Sequence, residues 1–501
     1  MKKTLLSLGV MLVWAGSAFA GVGGETVTMP ADVYKAILER LDSLQKRVDD
    51  LEQEEATVQP TREQYDKLTQ DVDNIYDTLD EVETKTLQDR INFGAELRTR
   101  VDNYKFDNMG TRTDLLTGAQ STNDDGHDDN NWSNRFRLNM DAEISDSLSF
   151  HGRLAVYKNW GDSDYTETDL YVDINQAHRP GTTSVKLDRA YIDWIPQGIP
   201  VPLALTIGRH PSTEGPPYEL KENRLRQSTY PALLIDLETD GIVGTIGLEQ
   251  YTGLKNSAFR LAYGIGYHSD FDNSDSFSFL DDDEAGDSTM FASFLESEMP
   301  GLPRSLAVLS YVHIDDVPSS FRGPKNDDDN PANVNLGDLD LYGIHLQVDD
   351  LKKSGFDLFV SWGGSRSDPN GKFATYPGYG DMGLLTADGQ DRKSGSSLYA
   401  GLRYKLPIEM LNHPKIGVEY NHGSKYWISM GNASNELYNK LATRGDVYEI
   451  YYIQPVSRHL FFRAGYTTID YDYTLSGYHT GQPVSTDAEL ENYYLLMDCR
   501  F

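Results

Sequence analysis

From Ile91 to the C-terminus the chain alternates apolar and polar residues. Ile91, Phe93, Ala95, Leu97 and Val101 alternate with Asn92, Glu96, Arg98, Arg100 and Asp102. Trp132, Phe136, Leu138, Met140, Ala142 and Ile144 then alternate with Ser133, Arg135, Arg137, Asn139, Asp141 and Glu143. Side chains along a strand point to opposite faces in turn, so this period of two predicts strands with one apolar and one polar face. The pattern places strands near 91–104, 132–145, 148–160, 185–195, 202–210, 240–249, 257–268, 287–298, 304–314, 338–349, 356–365, 395–406, 414–424, 444–454, 459–472 and 489–501.

Connections between these strands alternate long (105–131, 161–184, 211–239, 315–337, 366–394) and short (Asp146-Ser147, Pro196–Val201, Met299–Pro303, Pro455–Arg458). Long loops at one end and tight turns at the other are the rhythm of an outer-membrane barrel. An even count of about 16 antiparallel strands keeps that rhythm in phase and brings both ends of the barrel segment to the short-turn side. Ala232–Glu238 also has the look of a strand. A seventeenth strand would break the parity, so it is assigned to the third long loop.

Residues 31–90 have a different period. Ile37, Leu41, Leu44, Val48 and Leu51, and then Tyr65, Leu68, Val72, Ile75, Leu79 and Val82, are spaced by threes and fours with charges between them. That is heptad spacing for an α-helical coiled coil, interrupted at Pro60, with Thr61-Arg62-Glu63-Gln64 able to restart a helix. A single apolar stripe needs a partner. Self-association into a homo-oligomer, with a trimer possible, supplies one, and a hairpin turning at Pro60 supplies another.

The N-terminus predicts export. Lys2 and Lys3 precede an apolar stretch from Leu5 to Ala15, and Ala18-Phe19-Ala20 forms a small-x-small cleavage site. The division expected is therefore a signal peptide over 1–20, a periplasmic coiled-coil segment over 21–90 and a barrel over 91–501. No later run is long and apolar enough for a membrane helix. The mean hydropathy of −0.53 is no obstacle, because only alternate residues of a barrel strand face lipid.

Net charge is −33, which makes nucleic acid a poor partner. The acidic runs Asp124–Asp129, Asp281–Glu284 and Asp327–Asp329 read as solvated loops. A second reading has them bridge calcium to surface lipopolysaccharide, since carboxylates are hard oxygen ligands. The one cysteine, Cys499, allows no internal disulfide, and no haem-attachment motif is present. No metal or cofactor is expected.

Candidate functional residues come from the polar face. Arg98, Arg100, Arg135, Arg137, Arg153 and Arg189 point inward from adjacent strands, with Glu96, Asp141, Glu143 and Asp193 on the same face. Such a wall in a water-filled lumen sets a transverse field that selects solutes, whereas mutual pairing of the same groups would plug the interior. The third long loop carries Glu214, Glu219 and Glu222, which are expected to oppose the arginines across the pore, and Leu233, Leu234 and Ile235, which would pack it on the wall. Trp132, Trp160, Trp194 and Tyr104 near strand ends are expected to form interfacial belts, or to stack on sugars.

The chain ends Tyr493-Tyr494-Leu495-Leu496-Met497-Asp498-Cys499-Arg500-Phe501, with Tyr493, Leu495, Met497, Cys499 and Phe501 on one face. This resembles the C-terminal signal, ending in Phe501, that the barrel assembly machinery reads. Gly208-Arg209-His210-Pro211-Ser212-Thr213-Glu214-Gly215-Pro216-Pro217, followed by Thr229-Tyr230-Pro231 and Asp240-Gly241-Ile242, resembles an uncharacterised proteobacterial outer-membrane porin-like family with a domain-of-unknown-function barrel and an N-terminal coiled coil. The resemblance runs from about residue 85 to the end. It implies a barrel in the cell outer membrane, in contact with outer-membrane lipid, and carries over no substrate or binding residue.

An enzyme is not expected. His151, His268, His313 and His345 lie on separate predicted strands, and no GxSxG or HExxH motif occurs. The reading is a porin-type channel for small hydrophilic solutes or ions. Two alternatives stay open: a plugged barrel acting as a tether or binding protein, and a sheath for a separate periplasmic electron-transfer partner.

Overall fold

A computed structural model describes residues 91–501 except 110, 114–119, 123–124, 162–184, 268–285, 320–333, 377–379 and 432–438. It also describes helical positions 39, 40, 42, 43, 46, 47, 67, 70–72 and 74–76. The chain divides into two compact units, Met1–Thr86 and Leu87–Phe501.

In the first unit, Arg47 and Asp71 form an ion pair at 3.6 Å. A continuous helix would set them about 36 Å apart at 1.5 Å per residue. Arg47 and Asp71 therefore do not lie on one continuous helix. The signal peptide, its cleavage site and most of the heptad positions, including Leu41, Leu44, Val48, Leu51, Leu68 and Leu79, lie outside the described residues.

In the second unit the period-two segments pair into one closed antiparallel barrel of sixteen strands. These are β1 (Ile91–Asp107), β2 (Gly126–Ser145), β3 (Leu148–Asn159), β4 (Lys186–Trp194), β5 (Leu203–His210), β6 (Thr239–Gly247), β7 (Ala258–Tyr267) and β8 (Ser288–Ser297). They continue as β9 (Ser305–Asp315), β10 (Gly337–Val348), β11 (Phe356–Pro369), β12 (Ser394–Lys405), β13 (Lys415–Gly423), β14 (Gly445–Pro455), β15 (Leu460–Tyr473) and β16 (Ser485–Arg500). Each strand pairs with its sequence neighbours, and β1 pairs with β16 from Glu96↔Arg500 to Asp107↔Glu489. Reciprocal backbone bonds between Ala95 and Phe501 finish the seam. Closure leaves no unpaired edge, which is what lets strands cross a membrane.

The two faces separate as the alternation requires. Phe136, Leu261, Phe291, Leu309 and Tyr493 point outward and are exposed, forming the band that lipid covers. Trp132 and Trp160 stack outside, ring centroids 4.8 Å apart, at the long-loop end, and Trp194 is exposed at the short-turn end. Tyr104 is a correction to the belt. It is 3 % exposed, faces the lumen and donates to Asp128 Oδ2 at 2.9 Å. Asp128 and Asp129 are also corrected, from solvated loop to the exposed start of β2. The other two acidic runs lie outside the described residues.

Inside, the barrel is filled by its own loops. The segment 211–238 between β5 and β6, here called L3, enters the lumen and carries a short helix, α1 (Tyr218–Glu222). Ile235 forms a parallel bridge with Met430, from the connection between β13 and β14. Leu233, Leu234, Ile235, Trp427 and Met430 thereby join one apolar cluster with the inner faces of β8–β12.

Candidate functional site

The site is the contact between L3 and the inner wall. Of the residues of L3, only Leu225 is exposed, at 86 %; the rest are buried or half-buried. α1 lies deep, against residues near the short-turn end of the strands. Glu219 accepts from Gln347 of β10 at 2.8 Å. The Leu220 carbonyl accepts from Arg403 of β12, and Lys221 donates to Glu449 of β14 at 2.8 Å. Arg463 of β15 donates to the Lys221 carbonyl at 2.7 Å, Arg500 of β16 reaches Glu222 at 3.4 Å, and Arg98 of β1 forms a bidentate pair with Glu222.

The first half of L3 reaches the remaining charged wall. Arg135 and Arg137 of β2 donate to Glu214 at 3.3 and 2.7 Å, and Arg153 of β3 lies 3.7 Å from it. Arg189 of β4 donates to Thr213 Oγ1 at 3.2 Å. On the opposite side, Tyr230 packs on Phe294 of β8 with ring centroids at 4.5 Å, and Arg226 reaches Glu296 at 3.3 Å. L3 is thus tied to β1–β4, β8, β10, β12 and β14–β16. A loop fastened to one wall leaves an eyelet beside it, whereas this one bridges the lumen.

Five of the six arginines singled out from the sequence surround L3. Arg100 turns to its own strand and to β16. Its guanidinium pairs with Asp102 at 2.8 Å and lies 4.3 Å over the Tyr494 ring. Glu214 and Glu222 touch arginines directly, where a gap was expected. Glu219 departs from the expectation altogether: it sits on the β10 side, beside an uncharged glutamine. Phe501 is 75 % exposed on the outer face at the seam.

The three glutamates differ in electrostatics for that reason. Burial would push the Glu214 carboxyl up, but Arg137, Arg135, Arg224 and Arg153 outweigh it and hold it well below the usual carboxylate range. Glu222 is held low in the same way against its burial by Arg98, Arg463 and Arg135. At Glu219 burial wins over the Gln347 hydrogen bond and the carboxyl is raised.

Several members of the network escaped sequence reading. Strict alternation would turn Asp188 outward, next to Arg189. A register shift between Arg153 and Leu154 in the β3–β4 pairing admits an extra residue in β4, so both Asp188 and Arg189 face in. Asp188 then pairs with Arg153 and lies 3.8 Å from Arg137. Asp498 follows the alternation, at the parity opposite Cys499 and Phe501. It accepts from Arg98 at 2.8 Å and pairs with Arg500 at 2.6 Å, fully buried. The apolar inner half also had a signal. Leu306-Ala307-Val308-Leu309 in β9 is apolar at both parities, as a strand covered on both faces is.

A closed sixteen-strand antiparallel barrel with an exposed apolar band and aromatic residues at both rims defines the class: an outer-membrane β-barrel of porin-like fold. Residues 125–498 match the family described as "Protein of unknown function (DUF3373)", and the chain belongs to that family. Among solved structures it is similar to OprB of Pseudomonas putida at high pH, with 13% identity and a TM-score of 0.47, covering 84% of this chain and 96% of that one. It is also similar to in-vitro folded OmpT, an outer membrane protein of Vibrio cholerae, with 10% identity and a TM-score of 0.41, covering 82% and 97%. No curated protein sequence matches the chain.

Proposed function

We propose that this protein is a porin-type outer-membrane channel, not an enzyme, whose lumen is held closed in this conformation by L3. The observation that carries the reading is the bridging of the lumen by one loop, tied from β1–β4 on one side to β10 and β12 on the other. The site residues Arg98, Arg135, Arg137, Arg153 and Arg189 line the path that opens when L3 moves, and Glu214 and Glu222 are the groups that close it. Ion pairs suit a closure that must be undone. A fully apolar plug of similar volume is often as stable or more so, because two desolvated charges return little net energy.

The rival reading, a permanent plug in a tether or binding protein, is favoured by the apolar cluster that L3 shares with β8–β12. Conductance separates the two. Planar-bilayer recordings compare the wild-type chain with one in which residues 215–229 are replaced by a short Gly-Ser linker. Both are first checked for heat-modifiable migration. A largely silent wild type beside steady nanosiemens steps from the shortened chain supports the gated channel. Equal large steps from both would remove the plug from the account, and silence from both would remove the channel.

A further inference from the structure

We propose that the guanidinium clusters behind L3 are a binding site for small dianions bearing carboxylate or phosphate groups, occupied in this conformation by the loop's own Glu214 and Glu222. This rests on the reading of L3 as a displaceable plug. On that view the loop carboxylates stand where the carboxylate or phosphate groups of a solute would sit.

The geometry is that of an anion cage. Glu222 is shared by Arg98, Arg463 and Arg500, at 3.2 Å from Arg463 and 3.4 Å from Arg500. Glu214 is shared by Arg137 at 2.7 Å, Arg135 at 3.3 Å and Arg153 at 3.7 Å. The guanidinium fork matches planar carboxylate and phosphate oxygens, and several forks on one anion bind it far better than one. The two clusters are contiguous, because Arg98 and Arg135 are direct cross-strand neighbours. A ligand with two anionic ends therefore meets both.

Charge balance makes the same point. The wall contributes Arg98, Arg135, Arg137, Arg153, Arg189, Arg463 and Arg500, against Glu96, Asp188 and Asp498. When L3 withdraws, Glu214 and Glu222 leave with it, as do Lys221 and Arg224, and the guanidinium clusters of β1–β4, β15 and β16 keep an excess of positive charge. Anions must replace the two carboxylates. Three donors of the wall are buried and make no hydrogen bond among the described residues: Arg135 Nε, Arg135 Nη2, which lies 3.6 Å from Glu96, and Arg137 Nε, which lies 3.8 Å from Asp188. Such donors gain more from an incoming oxygen than exposed ones do.

The test uses full-length protein, folded in detergent and heat-modifiable. Succinate and inorganic phosphate are titrated calorimetrically into wild type and into Glu214→Gln/Glu222→Gln at matched ionic strength, with chloride as the reference anion. Removing the internal carboxylates should tighten dianion binding at least tenfold, and adding Arg135→Gln and Arg137→Gln should abolish it. Binding of succinate alone assigns the site to carboxylates, and binding of phosphate alone to phosphate. No tightening for either anion overturns the proposal. If the double variant does not fold, Glu214→Gln alone makes the same comparison. The outcome is separate from the conductance test. A silent loop-shortened barrel whose Gln variant binds dianions sinks the channel and keeps the site, and a conducting barrel without dianion binding does the reverse.

Discussion

Replacing a glutamate of L3 by glutamine should loosen the loop at two positions and tighten it at the third. Glu222→Gln removes the acid from a buried pair, which costs roughly 3–5 kcal/mol when the partner is left uncompensated. Here Arg98 and Arg500 keep Asp498, at 2.8 and 2.6 Å, so the low end applies, about 3 kcal/mol. At 1.4 kcal/mol per decade that is about a hundredfold in the docking equilibrium of the loop. Glu214→Gln leaves Arg135 with carboxylates no nearer than 3.6 Å and should loosen L3 at least as much. At Glu219 the carboxyl is raised by burial and faces Gln347, so an uncharged isostere relieves a desolvated charge and docking tightens at pH 7.

The assay is hydrogen–deuterium exchange of peptides covering the Leu220, Arg224, Asp236 and Met430 amides, each bonded inside the plug. The pH dependence follows the same division. The lowered carboxyls of Glu214 and Glu222 stabilise docking above the unfolded value of about 4.3, and that stability is lost as pH falls through their lower folded values. The raised carboxyl of Glu219 contributes stability that is full below about 4.3 and lost as pH rises through its folded value. Glu219→Gln should therefore remove the second trend and leave the first. If Glu219→Gln speeds exchange as Glu222→Gln does, the assignment of opposite surroundings to the two residues is wrong.

Three other outcomes are expected. A Cβ on Gly363 would lie 2.7 Å from Trp427 and 3.0 Å from Leu234, so Gly363→Leu should overpack the plug by about 1–3 kcal/mol. Exchange should then rise at Leu234–Asp236 while the barrel stays heat-modifiable, and unchanged exchange would contradict the packing. Phe501→Ala should lower the yield of assembled barrel in cells without changing the stability of refolded protein, because the seam bonds at Ala95 are made by backbone. Raising KCl from about 0.1 to 1 M should leave L3 exchange nearly unchanged, since buried pairs are screened far less than exposed ones.

The barrel was legible because its determinants are local. A period of two, turn residues at Asp146-Ser147 and Pro455–Arg458, and strand parity are all written within a few residues of one another. All sixteen strands fall where the alternation puts them, and Ala232–Glu238 belongs to the loop as parity required. The failures are non-local. Asp188 turned inward through a bulge that depends on the neighbouring strand's register. Tyr104 lies at a strand end like the belt residues, and only its parity with Arg98 and Arg100 marks it as internal. Glu219 and Glu222 sit on one turn of α1 yet face opposite walls. No sequence pattern in the loop says which wall each will meet, because that depends on how far the loop descends.

The two sides of L3 are held by different physics, and this fixes where an opening can form. Leu233, Leu234 and Ile235 bury their side chains against Trp427 and the inner faces of β8–β12, each contributing about 1.5–3 kcal/mol that no solute charge can displace. On the β1–β4 and β15–β16 side the loop is held by ion pairs, whose partners any suitable anion can exchange. On the proposed gated reading, a loop anchored this way would swing on its apolar side and release on its charged side. A path opened by ligand or field would run along the arginines and leave the apolar half shut. Mutations that weaken the apolar anchorage and those that weaken the ionic one should then differ in kind: the first frees the loop without selectivity, and the second opens a passage lined by guanidinium groups.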